Sequence, residues 1–129
     1  MKYPFEPKST THLEPGQFWA IPLSNGSYAC GVVLAKLISS GKIERRSFLA
    51  ALIDWNGKDK PSSEDIKNKE IIKKGAAHIK TIQLTGGVII GKTEFNSLPE
   101  NPKEYTDDIV TMGYGVLEKV AEKNFVKNS

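Results

Sequence analysis

The sequence predicts a mainly β protein, a β-rich α+β fold drawn as a small, bent antiparallel barrel or roll with two short peripheral helices. Three observations predict it. Two apolar runs, Gln17–Leu23 and Tyr28–Leu37, flank Asn25-Gly26, a dipeptide suited to the positive φ angles of a tight hairpin turn. A third run, apolar from Phe48 to Ile53, is bounded by Arg45-Arg46 and Asn56-Gly57 and is too short for a typical helix. The remaining apolar residues fall in short groups separated by Gly, Pro and Ser, so the elements are short and joined locally.

Within the hairpin, Trp19, Ile21 and Leu23 share one face of the first strand. On the return strand, bulky Tyr28, Cys30, Val32 and Leu34 alternate with Ala29, Gly31 and Val33, a small face that would let another backbone come close. Pro22 cannot donate to a ladder and is expected at an edge or bulge. Ser39-Ser40-Gly41-Lys42 makes the next turn. Ser47–Trp55 then fits a central strand buried on both faces, with a short buried helix as the alternative.

After a loop over Lys58–Pro61, Ser62-Ser63-Glu64-Asp65 reads as a capped helix start with acids in its first turn. Ile66, Ile71 and Ile72 give that helix a thin stripe, and Lys73-Lys74 before Gly75 suit its end. Ala76–Leu84 reads as a strand whose alternation slips at Thr81-Ile82, as a bulge would make it. Gly86-Gly87 turns it back into Val88–Gly91. Asn96–Pro102 is a loop, and Tyr105–Met112 is either a last strand or an irregular lid. Val116, Leu117, Val120, Ala121 and Phe125 recur at helical spacing, so a closing amphipathic helix is expected against one open end of the sheet. Residues 1–15, with Pro4, Pro7 and Pro15, are expected as an extended arm carrying Tyr3 and Phe5. Residues 16–129 form a single globular domain in this reading.

The 129 residues suffice to bury about two-thirds of the unfolded surface. No run approaches the ~18 apolar residues of a membrane helix, and the N-terminus lacks the apolar core of a secretion signal. The single Cys30 excludes an internal disulfide and agrees with a reducing, cytoplasmic location. Net charge is +3, unevenly spread. Lys36–Lys80 holds eleven Lys/Arg against six acids, whereas Glu94–Asp108 holds five acids against Lys103 alone. Two solvated surfaces are the plain account of that segregation; steering of a partner is the functional one.

Chemistry is poorly signposted. Cys30 with His12 or His78 has the residue types of a nucleophile and base, but Cys30 sits mid-strand on the bulky face, where cysteine is ordinarily buried and inert. Neither histidine has ligand spacing to a cysteine or acid. Asp107 and Asp108 are adjacent and would point to opposite sides of a strand. Gly86-Gly87 and Gly113-x-Gly115 lack the strand–turn–helix setting of a dinucleotide fingerprint. The sequence therefore predicts no catalytic residues, no metal site and no cofactor. The basic Lys36–Lys80 surface leaves a small nucleic-acid-binding barrel as the alternative, although it lacks interleaved aromatics for base stacking.

Gly16-Gln-Phe-Trp-Ala-Ile-Pro-Leu23, the Asn-Gly turn and Tyr28-x-x-Gly31-x-Val33-Leu34 resemble the start of the immunity protein 26 family. Met112-Gly113-Tyr114-Gly115 is a looser echo. The resemblance implies a bacterial immunity protein of a polymorphic toxin system, which binds a cognate toxin domain and blocks it by stoichiometric occlusion, without turnover. With no run long enough for a membrane helix, no membrane partner is expected. Immunity proteins against nucleases are often acidic, and the basic total here departs from that pattern; the local acidic segment is what could still face a basic cleft. The expected toxin contacts are Glu100, Glu104, Tyr105, Asp107 and Asp108, on a segment stiffened by prolines, with Trp55 as an apolar anchor nearby.

Overall fold

The computed structural model describes residues 2–94 and 98–127. Of the expected loop Asn96–Pro102, positions 96 and 97 lie outside the described residues. Strands β1 (Gln17–Pro22), β2 (Tyr28–Ser39) and β3 (Lys42–Gly57) form an antiparallel meander, and β4 (Ile71–His78) pairs antiparallel with β3. Three two-residue strands complete one sheet. Strand β5 (Gly91–Lys92) lies antiparallel to β1, β6 (Lys103–Glu104) parallel to β2, and β7 (Thr111–Met112) parallel to β4. The path across the sheet is β5-β1-β2-β3-β4-β7, with β6 also paired to β2.

The β-rich class is as expected, but the sheet is mixed and does not close into a barrel. Closure needs the outermost strands to pair with each other. Here β1 is instead bordered by β5 and by the loop at Gly86, where an added Cβ would lie 2.1 Å from the Ala20 carbonyl oxygen. Strand β4 is bordered by β7 over Ala76–Ala77.

The sheet is buried on both faces because its central strands are apolar at successive positions. The first face carries Trp19, Ile21, Val33, Phe48, Ala50 and Leu52. The second carries Phe18, Cys30, Val32, Leu34, Leu49, Ala51 and Ile53. Trp19 is fully buried, meets Phe48 edge-on at 6.1 Å between ring centroids, and donates from Nε1 to Thr85 Oγ1 at 3.0 Å. The small face of β2 thus admits an indole where the sequence suggested a second backbone. Gly31 sits beside Trp19 in register, and a Cβ there would fall 2.3 Å from the Trp19 ring.

The β1–β2 hairpin forms as expected, with a different turn. The Leu23 N–H donates to Ser27 O at 2.9 Å and the Gly26 N–H to Leu23 O at 3.1 Å, a three-residue loop in which Gly26 alone takes positive φ, at 84°. Asn25 Oδ1 accepts from the Ser27 N–H and hydroxyl, which holds Asn25 out of the left-handed region. The two-residue turn with both central φ positive occurs at Ser40 (53°) and Gly41 (76°), between Ser39 and Lys42.

Three further expectations are corrected. Helix α1 is a single turn, Ser63–Ile66, with the Ser62 cap in a reciprocal box with Asp65. It ends before Asn68 (φ 57°), so Ile71–Gly75 are strand: pairing with β3 outweighs their weak helical stripe. The expected strand over Ala76–Leu84 stops at His78, and α2 (Lys80–Gln83) follows. The slip at Thr81-Ile82 is helical periodicity, since Ile79 and Ile82 both enter the first core. Val88–Gly91 supplies a bridge from Ile89 to Phe5 and the start of β5 rather than a full strand.

Helix α3 (Val116–Glu122), continued by a π-turn over Lys123–Lys127, covers the first face through Leu117 and Ala121 rather than capping an end. Glu122 accepts from the Ser24 N–H at 2.7 Å and the Ser24 hydroxyl at 2.8 Å, latching this helix to the first hairpin. Residues 2–15 wrap the same face. Leu13 is fully buried, Thr10 bonds the Arg45 and Glu44 carbonyls, and Gln17 bonds Glu14 N–H and the His12 carbonyl.

Candidate functional site

The second face is covered by the segment 98–112, which starts beside β2 and ends beside β4. Its residues fall into two sets. Leu98, Tyr105 and Ile109 turn inward onto the second core. Glu100, Glu104, Asp107 and Asp108 are exposed. The segment is pinned at both ends. Asn101 Oδ1 accepts from the Lys36 N–H at 2.8 Å, at an irregularity of the β2–β3 ladder. The Tyr105 N–H donates to Ile38 O at 2.8 Å, and the Ala76 N–H donates to Val110 O at 2.7 Å. We call this segment the strap. Tyr105–Met112, expected as either a last strand or an irregular lid, is irregular as far as Val110 and ends in the two-residue strand β7.

The four expected acidic contacts therefore lie exposed on one pinned segment. Tyr105 is half-buried and its hydroxyl is hydrogen-bonded to the Thr111 hydroxyl, so the ring tethers the strap as well as presenting an edge. Asp108 is fully exposed and ionised more readily than usual. The Thr106 hydroxyl donates to it, and the Asp108 backbone N–H and the Lys103 charge act in the same direction, holding the carboxyl below the usual carboxylate range. Thr106→Ala is expected to move the Asp108 titration upward toward that range, followed by the side-chain carboxyl signal in an NMR pH series.

Trp55 packs against the same second core as Leu98, Tyr105 and Ile109, toward the other end of β3. It is half-buried, lies against Gly57 on its own strand, and sits where Gly57 pairs with Tyr28. Tyr105 meets β2 at Ile38, so at ~3.3 Å per residue the two are about 30 Å apart along the strand.

Between strap and sheet lies an open cleft of about 340 Å³. Leu34, Leu49 and Gly75 floor it, Leu98, Ile109 and Val110 line the strap side, and Ile71, Lys74, Lys103 and Asp108 stand around it. Ile71 and Val110 are 42% and 57% exposed, high for such side chains beside an apolar cleft. Neither was legible as a site residue. Ile71 and Lys74 belonged to an expected helix, and the floor comes from three strands remote in sequence.

Elsewhere the structure offers little chemistry. The Cys30 thiol is fully buried, donates to the Gly31 carbonyl at 3.5 Å, and is pushed up in pKa by burial. His78 Nδ1 accepts from the Lys80 N–H at 3.1 Å and its ring meets Tyr114 edge-on, while His12 is exposed. Among the described residues no three His, Cys, Asp or Glu side chains are grouped as metal ligands, and no helix is long and apolar enough to cross a membrane. Gly86-Gly87 closes α2, with the Gly87 N–H donating to Ile82 O. The basic residues are divided. Lys42, Arg45 and Arg46 lie at the β2–β3 turn, Lys73 and Lys74 on β4, and Lys58, Lys60, Lys67 and Lys69 in the connection between β3 and β4. Nothing among the described residues supports the nucleic-acid alternative.

No curated protein and no solved structure matches the chain. The model of the family described as Immunity protein 26 matches residues 14–115, which span the whole meander, β4, the strap and β7. That match covers most of the chain, and the protein belongs to the immunity protein 26 family.

Proposed function

We propose that this protein neutralises a cognate toxin domain of a bacterial polymorphic toxin system in the cytoplasm, by stoichiometric occlusion, and that the strap is its contact surface. Family membership supplies the toxin partner. The observation that carries the choice of surface is the set of exposed carboxylates, Glu100, Glu104, Asp107 and Asp108, on a segment fixed to the sheet at both ends. A surface already ordered before binding loses little conformational entropy in the complex. Its carboxylates speed encounter with a basic partner face and disfavour acidic ones. The reading requires no bond making and no cofactor.

The test is a titration with the cognate toxin domain, identified by co-purification and produced as an inactive variant. Alanine at the four acids together is expected to weaken binding about 10- to 100-fold and to flatten its dependence on salt, because rim charges act mainly through long-range attraction. Unchanged affinity and unchanged salt dependence would place the interface elsewhere. Trp55→Ala in the same assay reports whether the contact extends to the far end of the sheet.

A further inference from the structure

We infer that the outer edge of β4 at Lys74, together with the cleft beside it, takes one extended segment of the toxin as an added strand. The segment places an apolar side chain over Leu34 and Leu49. This deepens the toxin-binding reading and rests on it.

The backbone argument comes from register. Ala76 donates its N–H outward to Val110 O, and the ladder with β7 covers only Ala76 and Ala77. Outward-pointing groups recur at every second residue of a strand, so the N–H and C=O of Lys74 point the same way as those of Ala76. They lie beyond the end of β7, because the strap leaves the edge at Val110 to cross the second face. Gly75 makes that departure possible: a Cβ there would stand 2.6 Å from the Val110 carbonyl oxygen. The edge thus accepts a strand from its own chain at Ala76 and stops one outward position short.

The side-chain argument points to the same place. Lys74 pairs with Ala51, whose side chain belongs to the second face, so a strand added here directs alternate side chains toward the cleft. The cleft holds about 340 Å³ over an apolar floor, room for one large aliphatic or aromatic side chain. Ile71 and Val110, both exposed, flank the position. The charged groups around the cleft, Lys74, Lys103 and Asp108, stand at its rim and leave its floor to an apolar side chain. Lysines on an edge strand ordinarily discourage indiscriminate pairing, and Lys73 and Lys74 do that here. Strand addition at the remaining open position gives affinity through the backbone and selectivity through the cleft.

The experiment combines hydrogen exchange with three substitutions, using the full chain and an inactive variant of the cognate toxin domain identified by co-purification. Binding is expected to slow exchange of the Lys74 amide at least about tenfold. Lys74→Pro removes the outward donor without touching the β3 ladder, and is expected to weaken binding at least about tenfold more than Lys74→Ala, which keeps the donor. Val110→Asp, at an exposed position, is expected to weaken binding comparably and serves if the proline variant does not fold. Should the toxin bind, and respond to the four strap acids, while Lys74 exchange is unchanged and Val110→Asp binds normally, the added strand is refuted and the strap reading stands. Absence of any binding overturns both.

Discussion

Trp19→Ala is expected to lower the free energy of unfolding by about 3–5 kcal/mol, much of the 5–15 kcal/mol typical of a domain. The indole is fully buried, packs edge-on to Phe48, and fills the space that Gly31 leaves on the neighbouring strand. Its removal opens a cavity between β1 and β2 and leaves the Thr85 hydroxyl without the indole donor. Urea unfolding followed by far-ultraviolet dichroism measures the effect as a fall in midpoint at unchanged slope. The complementary change, Gly31→Ala, puts a methyl into the ring and is expected to cost about 1–3 kcal/mol. A loss below about 1 kcal/mol for Trp19→Ala would mean that the indole is not central to the first core.

Gly16→Ala is the second large effect. Gly16 has φ 93°, a region that L-residues adopt only with strain, and its Cβ would lie 2.2 Å from the Thr93 carbonyl oxygen. The clash is backbone against backbone, so no rotamer relieves it. Gly16 also donates to Val33 O at 2.8 Å and accepts from the Thr93 N–H at 2.9 Å, tying the entry of β1 to both neighbours. Strain and overpacking together are expected to cost about 2–4 kcal/mol. Hydrogen exchange at Thr93 and Val33 should report whether the loss is local or global, and wild-type stability in this variant would contradict the geometry.

The elements most legible in the sequence were those whose information is local. Alternation and a glycine turn sufficed for β1, β2 and their pairing, and an unbroken apolar run sufficed for β3. The turn type was not legible, because Asn25 Oδ1 competes for the Ser27 N–H and the dipeptide alone does not show it. Lys73-Lys74-Gly75 carries a helix-end signal of its own, and only pairing with β3 overrides it. The acidic residues of the strap could be grouped since they are neighbours in sequence. Their separation from Trp55 could not be read, because it depends on which ends of β2 and β3 each contacts. The cleft was invisible for the same reason, being assembled from β2, β3, β4 and the strap.

The latch between Ser24 and Glu122 has a consequence for the order of events during synthesis. Trp19 is translated early, yet the face it occupies is roofed by Leu117 and Ala121, about a hundred residues later. Until those residues leave the ribosome, the part of the first core that they cover stays open despite Leu13, Ile79 and Ile82, and pairings that span most of the chain close slowly. A nascent chain of this protein is therefore a natural client for chaperones. Shortening the chain before Leu117 should yield aggregation-prone product, not a smaller native protein.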